Sequence, residues 1–273
     1  MFLADMQIGM YATFSGLDEA GVADYAERDL RVWSVPDTEG IEWDVRRYEE
    51  AVAVVNGLRP EAVVIGGDMV DDPNAEDQYE AFMRVTSRID PDIDVRWLPG
   101  NHDIADDTVA PTPDSIERYR AAFGPDRFAF DLGPVRFVAL NTPLIDHPEH
   151  VPGELAAQED FLAGELADAV SRGRRVVLVG HHPLFLESAD EPDTYWNLPA
   201  ERRRPVLDLV HRHGVGLMLA GHWHRNRIAR DGTFEMVTSG PVGYPLGDDP
   251  SGVRVVEVGE QGVRHRYIAT GGR

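Results

Sequence analysis

The sequence predicts an α/β protein built as a four-layer α/β/β/α sandwich, two mixed β-sheets packed together and flanked by helices. Three observations carry that expectation. Short apolar runs alternate with segments of helical period through most of the chain. Five of those runs end in a turn that bears Asp, Asn, Gln or His. The last part of the chain, from Ile228 onward, holds strands with no helix between them.

Each element follows from local pattern. Phe2–Ala4 makes a very short first strand leading into Asp5-Met6-Gln7. Asp44–Leu58 places Val45, Tyr48, Ala51, Val52 and Val55 at helical spacing. Glu61–Ile65 is a buried strand ending at the Gly66-Gly67-Asp68 turn. Glu76–Ile89 is a helix with Tyr79, Phe82, Met83 and Val85 on its apolar face. Asp94–Leu98 is a strand ending at Pro99-Gly100-Asn101. Pro113–Phe123 is a helix, with proline suitably at its start. Arg127–Asp131 and Val135–Asn141 flank Leu132-Gly133-Pro134 and read as a hairpin. Glu154–Arg172 is a long helix, and Arg174–Val179 is a strand ending at His181-His182-Pro183. Pro199–His213 is helical, then Val215–Leu219 runs into Gly221-His222-Trp223-His224. Arg227–Arg230, Phe234–Ser239, Val253–Val258 and Val263–Ile268 read as an antiparallel meander, with Asp231-Gly232 and Glu260-Gln261-Gly262 as turns. Neither an internal repeat nor a low-complexity linker interrupts the chain, so one domain over 1–273 is expected.

Bulk composition narrows the function classes. Hydrophobic residues form 42% of the 273, enough for a sizeable core. No apolar run approaches the roughly 20 residues that span a bilayer, and no basic region followed by an apolar one marks a signal peptide. The chain has no cysteine, which removes disulfides and thiolate ligands and fits a reducing compartment. A cytoplasmic location is expected. The net charge of −22 repels nucleic acid phosphates and anionic membrane surfaces, so neither is an expected partner. Oligomeric state has no signature in the sequence.

The motifs at strand ends carry the chemistry, because ligands of such sheets gather beyond the carboxyl ends of strands. Without thiolate, a metal must be held by imidazole, carboxylate, amide oxygen and water. Asp68 is the central residue, since one carboxylate can bridge two cations about 3.5–4 Å apart. Taken alone it would be an ordinary turn-forming Asp after glycine; beside four other such motifs it reads as a bridge. Asp5 reads as a terminal carboxylate ligand. Gln7 either offers its amide oxygen to the same metal or hydrogen-bonds a metal-bound water. Asn101 can complete the second metal's shell through its amide oxygen. His102 suits proton donation to a leaving alkoxide, with the Asp71 carboxylate oriented against it to keep it protonated. Asp103 is expected to anchor its loop through backbone N–H groups. His181 leaves its strand toward the metals, whereas His182 faces the substrate or a neighbouring loop. His222 and His224, two residues apart, point to one side of an extended segment and can serve one metal each. Tyr195, Trp196 and Asn197 form either a substrate wall or simple packing under a long loop; Tyr195 and Asn197 are candidate substrate contacts together with His182. Arg202-Arg203-Arg204 reads as a solvated helix face, His211 and His213 as helix C-terminal residues, and His147, His150 and His265 as loop or surface residues.

Asp5-x-Gln7, Gly67-Asp68-x-x-Asp71, Gly100-Asn101-His102-Asp103, His181-x-Pro183 and Gly221-His222-x-His224 resemble the signature of the calcineurin-like metallophosphoesterases over nearly the whole chain. The usual family pattern has histidine where Gln7 stands; a protein serine/threonine phosphatase branch has glutamine there. The resemblance implies two divalent or trivalent metal ions (Mn, Fe or Zn), one held by Asp5, Gln7, Asp68 and His224, the other by Asp68, Asn101, His181 and His222. It implies His102 assisting the leaving group with Asp71 behind it, and in-line attack on phosphorus by a hydroxide held between the metals. The expected activity is phosphomonoester hydrolysis on a phosphoprotein or small phosphate ester. The alternatives are a phosphodiesterase acting on a cyclic nucleotide, nucleotide or phospholipid head group, and a noncatalytic metal-binding scaffold, which only Gln7 favours.

Overall fold

A computed structural model describes residues 1–27, 30–35, 40–104 and 110–271. In chain order, β1 (Phe2–Leu3) is followed by three helices, α1 (Met10–Thr13), α2 (Glu19–Glu27) and α3 (Glu42–Leu58). Next come β2 (Ala62–Ile65), α4 (Glu76–Thr86), β3 (Asp94–Trp97), the single turn α5 (Asn101–Ile104) and α6 (Pro113–Phe123). The hairpin β4 (Phe128–Leu132) and β5 (Val135–Ala139) precedes α7 (Thr142–Asp146), α8 (Pro152–Ser171) and β6 (Arg175–Val179). The rest comprises α9 (Ala200–His213), β7 (Leu217–Ala220), β8 (Arg227–Asp231), β9 (Phe234–Thr238), β10 (Gly252–Gly259) and β11 (Gly262–Ala269).

The strands form two mixed sheets, in the orders β11-β10-β1-β2-β3 and β4-β5-β6-β7-β9-β8. Three buried apolar layers separate them and their helices. Phe2, Val64, Leu98, Phe137, Val177, Val179, Leu219 and Val237 fill the space between the sheets. Tyr48, Val52 and Val55 of α3 join Phe82 and Val85 of α4 on one outer face, and Leu162 and Leu166 of α8 join Val206 and Val210 of α9 on the other. The spacing of those apolar positions is that of one helical stripe, so burial rather than propensity holds the helices in place. Their ends are specified locally. Thr112 and Ser115 make a reciprocal capping box at the start of α6. At the end of α3, Arg59 turns left-handed (φ 46°) and its N–H reaches the Val55 carbonyl just before Pro60.

The expected meander is split between the sheets. β8 and β9 pair as a hairpin, but β9 runs parallel to β7 in the six-stranded sheet. β10 and β11 form a second hairpin that joins the other sheet through β1. The reason is the free edge of β1 opposite β2, whose backbone groups need partners. The 239–251 segment crosses between the sheets to reach it, and Val242 and Gly243 donate to the carbonyls of Ala4 and Asp5.

The α1 turn is pinned by Asp44 of α3, whose buried carboxylate accepts the Tyr11 N–H at 3.2 Å. Burial pushes Asp44 up to about 7, against the pull of neighbouring backbone N–H groups. The folded chain therefore keeps a proton on Asp44 between about pH 4 and 7 that the unfolded chain has already lost. The native state binds more protons there, so this residue's contribution to stability falls as pH rises across that window and is constant above it. Asp44→Asn, which keeps an acceptor oxygen, should gain on wild type by up to about 4 kcal/mol between pH 4 and 8. Urea midpoints of both metal-stripped chains at pH 5 and pH 8 check this; an equal difference at both values would show that Asp44 does not titrate in that range.

Candidate metal centre

Parallel strands from both sheets point their carboxyl ends at one place, and the five motifs follow directly on β1, β2, β3, β6 and β7. The backbone there is unusual. Asp5, Gln7, Asp68, His222 and His224 have φ of 56°, 38°, 50°, 68° and 53°. Among the described non-glycine residues only Arg59 shares that region. Left-handed backbone at such residues costs on the order of 1–3 kcal/mol each and persists where surrounding structure over-determines it. Close approach does so here. A methyl group on Gly100 would overlap the Asp68 carboxylate and backbone nitrogen, and one on Gly221 would overlap Asp5.

The geometry brings seven of the expected residues together, six of them nearly sealed from solvent and Asn101 8% exposed. Candidate donor atoms of Asp5, Asp68 and His224 lie within 4.8 Å of one another, as do those of Asp68, His181 and His222, so Asp68 belongs to both groups. The Asp68 carboxylate is 2.9 Å from His181 Nε2, which is 3.1 Å from Asn101 Oδ1. His224 Nε2 is 3.6 Å from Asp5 Oδ1. Gln7 donates through Nε2 to Asp71 Oδ1 at 2.9 Å, which turns its amide oxygen the other way. That oxygen and Asp5 Oδ2 are buried with no hydrogen-bond partner among the described residues. A buried carboxylate oxygen and amide oxygen left unpaired are costly, and two oxygens beside imidazole nitrogens are the donor set that hard or borderline cations take. The residues fit metal ions.

Main-chain carbonyls decide which imidazole nitrogen is free. His181 Nδ1 donates to Gly66 O at 3.0 Å, and His224 Nδ1 donates to Tyr244 O at 2.6 Å, so each presents Nε2 to the centre. His222 is reversed: Nε2 donates to Tyr195 O at 2.9 Å, leaving Nδ1 for the centre. The electrostatics are those of a charged, buried cluster. Burial pushes the Asp5 carboxyl up despite His224 and His181. Burial also opposes ionisation of Asp68, but His181 and His102 outweigh it and hold that carboxyl well below the usual range. Burial works against charge on His181, yet the Asp68 carboxylate raises it to about 9. His222, buried and facing His181, is pushed down to about 3.

The surrounding residues show where sequence reasoning needed correction. His102 Nδ1 donates to the main-chain carbonyl of Asp71 at 2.7 Å, while the Asp71 carboxylate stands 3.9 Å away and is taken by Gln7. Asp71 thus orients His102 through its backbone, and Gln7 bridges the two, its Nε2 lying 3.2 Å from His102 Nε2. Asp103 anchors its loop as expected, accepting from Asp68 N, Met69 N and Gly100 N. His182 is turned inward: Nδ1 is 3.3 Å from Thr142 Oγ1 and Nε2 is 4.0 Å from an Asp146 oxygen. Burial pushes it well down, so it is neutral. Asn197 is buried and its polar atoms are used inside its own loop, by Thr194 N, the Pro192 carbonyl and the Glu191 carboxylate. Of the three residues expected to face substrate, Tyr195 is half exposed, its ring 4.9 Å from that of His222. Arg203 is no solvated face residue. It shares the inner stripe of α9 with Val206, Leu207 and Val210, and donates to the carbonyls of Ala189, Glu191 and Leu198. His265 is half-buried between Glu235 and Arg254 rather than on the surface.

Thr142 escaped the sequence reading. Its hydroxyl accepts the N–H groups of both His181 and His182, at 2.9 and 2.8 Å. A signal was present: Asn141-Thr142-Pro143 follows the apolar run of β5 with the same grammar as the five motifs.

Two mixed sheets that gather carboxylates, amides and imidazoles around one shared carboxylate define a metal-dependent hydrolase. The model of the calcineurin-like phosphoesterase family matches residues 2–226, and the chain belongs to that family. It is a metal-dependent phosphoric ester hydrolase. It is 36% identical over 249 residues to the serine/threonine-protein phosphatase CPPED1 of Danio rerio, covering 87% of this chain and 80% of the relative. The Homo sapiens CPPED1 is 34% identical over 252 residues, covering 88% and 79%. A dimetal phosphatase structure from Danio rerio aligns with a TM-score of 0.58 over 99% of this chain and 98% of that one, at 16% identity, which speaks to the fold.

Proposed function

We propose that the protein is a dinuclear phosphomonoesterase acting on a phosphoprotein or a small phosphate ester. The observation that carries this reading is the sharing of Asp68 between two buried donor groups. Asp5, Gln7, Asp68 and His224 would hold one cation, and Asp68, Asn101, His181 and His222 the other, with Mn, Fe or Zn compatible with such donors. When bound, the pair supplies Lewis acidity toward phosphoryl oxygens and an activated water.

The chain's own residues do the rest. Gln7 keeps its amide oxygen on the cation side because the Asp71 carboxylate accepts only from its nitrogen. His102 commits its Nδ1 proton to the Asp71 carbonyl, so Nε2 is the nitrogen that exchanges a proton. Once Nε2 takes a proton from solvent it releases the Gln7 amide, and it then gives that proton to the departing alkoxide, which leaves as the alcohol. Tyr195 stands at the rim, where the non-phosphoryl part of a substrate would meet it. The reading extends to one domain over 1–273 and to residence in the cytoplasm, where a chain without cysteine suits a reducing milieu. Among the described residues no helix is long and apolar enough to cross a membrane.

The monoester preference leans on the phosphatase relatives. With Mn²⁺-loaded protein, kcat/KM for p-nitrophenyl phosphate should exceed that for bis-p-nitrophenyl phosphate by at least about 10-fold, a difference of about 1.4 kcal/mol in the barrier. A reversed ratio would make the enzyme a phosphodiesterase. Two bound cations without turnover of either ester would make it a scaffold.

A further inference from the structure

The three centre imidazoles are oriented by carbonyls of different standing. Gly66 directly follows a core strand, and Tyr244 is fully buried in an aromatic cluster. Tyr195, by contrast, lies in the 187–198 loop, which has no regular secondary structure, and its side chain is half exposed.

Side chains hold that loop in shape. The Glu191 carboxylate accepts the N–H groups of Leu186, Glu187 and Ser188 and the Asn197 amide. Asn197 accepts from the N–H and Oγ1 of Thr194, the residue directly before Tyr195. Arg203, 1% exposed, ties Ala189, Glu191 and Leu198 down from α9 and pairs with Asp193 at 3.2 Å. A fully buried guanidinium aimed at three loop carbonyls is a costly arrangement unless the loop's shape is required.

From this we infer that Asn197, with Glu191 and Arg203 behind it, is a positioning residue for the second cation: the clamp holds the Tyr195 carbonyl on His222 Nε2, and so fixes the tautomer and direction of the Nδ1 donor. The inference rests on the dinuclear reading above. It separates the two cations, because His224, the one imidazole in the first cation's donor set, takes its orientation from Tyr244. It also separates two features of Tyr195, whose carbonyl serves the cation while its ring faces the rim.

The test is Mn²⁺ binding by isothermal titration and metal analysis on wild type, Asn197→Ala, Glu191→Gln and Tyr195→Ala, with circular dichroism and melting curves alongside. Wild type should take up two equivalents. Asn197→Ala should bind one of them about 10-fold or more less tightly, as loss of an orienting partner does, while the other equivalent stays at wild-type affinity. Tyr195→Ala, which keeps the carbonyl, should hold both cations as wild type does and change KM instead. Should Asn197→Ala fail to fold, Glu191→Gln, which keeps size and shape, carries the same expected loss. Wild-type affinity for both cations in a folded clamp variant overturns the inference and leaves the dinuclear reading intact. Fewer than two equivalents in wild type overturns that reading and the inference together.

Discussion

Asp68→Asn is expected to lower kcat toward p-nitrophenyl phosphate with Mn²⁺ by more than about 100-fold, since removing even an outer partner of a ligand costs 10–100-fold. The physical reason is that Asp68 alone belongs to both donor groups. Asparagine keeps the size and one oxygen but removes the charge and the second equivalent oxygen, so one of two cations loses its bridge. The loss should appear in metal content as well as in rate: the variant should retain fewer than two equivalents after dialysis. The variant should still fold, because asparagine tolerates the φ of 50° at this position. A variant with wild-type turnover and two equivalents of metal would place the reaction elsewhere in the molecule.

The second large effect belongs to His102. His102→Ala is expected to reduce kcat by about 10²–10⁴-fold on an alkyl phosphate such as a phosphoserine peptide, the usual contribution of a positioned general acid. On p-nitrophenyl phosphate the loss should be much smaller, because p-nitrophenolate departs without needing a proton. That contrast distinguishes proton donation from metal binding, which would fail equally on both substrates. Two contacts place the residue for donation: the ring is fixed by Nδ1 on the Asp71 carbonyl, and the main-chain N–H of His102 donates to Asp68 Oδ1 at 3.0 Å. Equal losses on the two substrates, with metal content unchanged, would assign His102 to phosphoryl binding instead.

Much of this centre could be read in advance because strand ends have a local grammar. A short apolar run followed by Gly-Asp or Gly-Asn announces both the strand and the side chain at its end, and Asp68 and Asn101 are legible in that way as buried residues of one cluster. Boundaries held to within a few residues, as at α6, where the Thr112–Ser115 box and Pro113 mark the start locally. Arg203 was misread because its two arginine neighbours are exposed or half-exposed, and only the phase of α9 against its neighbours turns the middle one inward. Asn197 was misread because a loop amide looks the same whether it faces substrate or its own backbone.

By itself the sequence determined the layered α/β/β/α class, the strand-end polar residues that the fold gathers at one place and the lack of any thiolate donor, all of which follow from residue type and short-range period. The tertiary structure alone decided three things. It sent β8–β9 and β10–β11 to different sheets, because the open edge of β1 is a long-range demand for hydrogen bonds. It moved the orienting contact on His102 from the Asp71 carboxylate to the Asp71 carbonyl. And it reversed His222 relative to His181 and His224 through the carbonyl of Tyr195. Carbonyl oxygens are common to every residue, so their placement leaves no mark in the order of side chains.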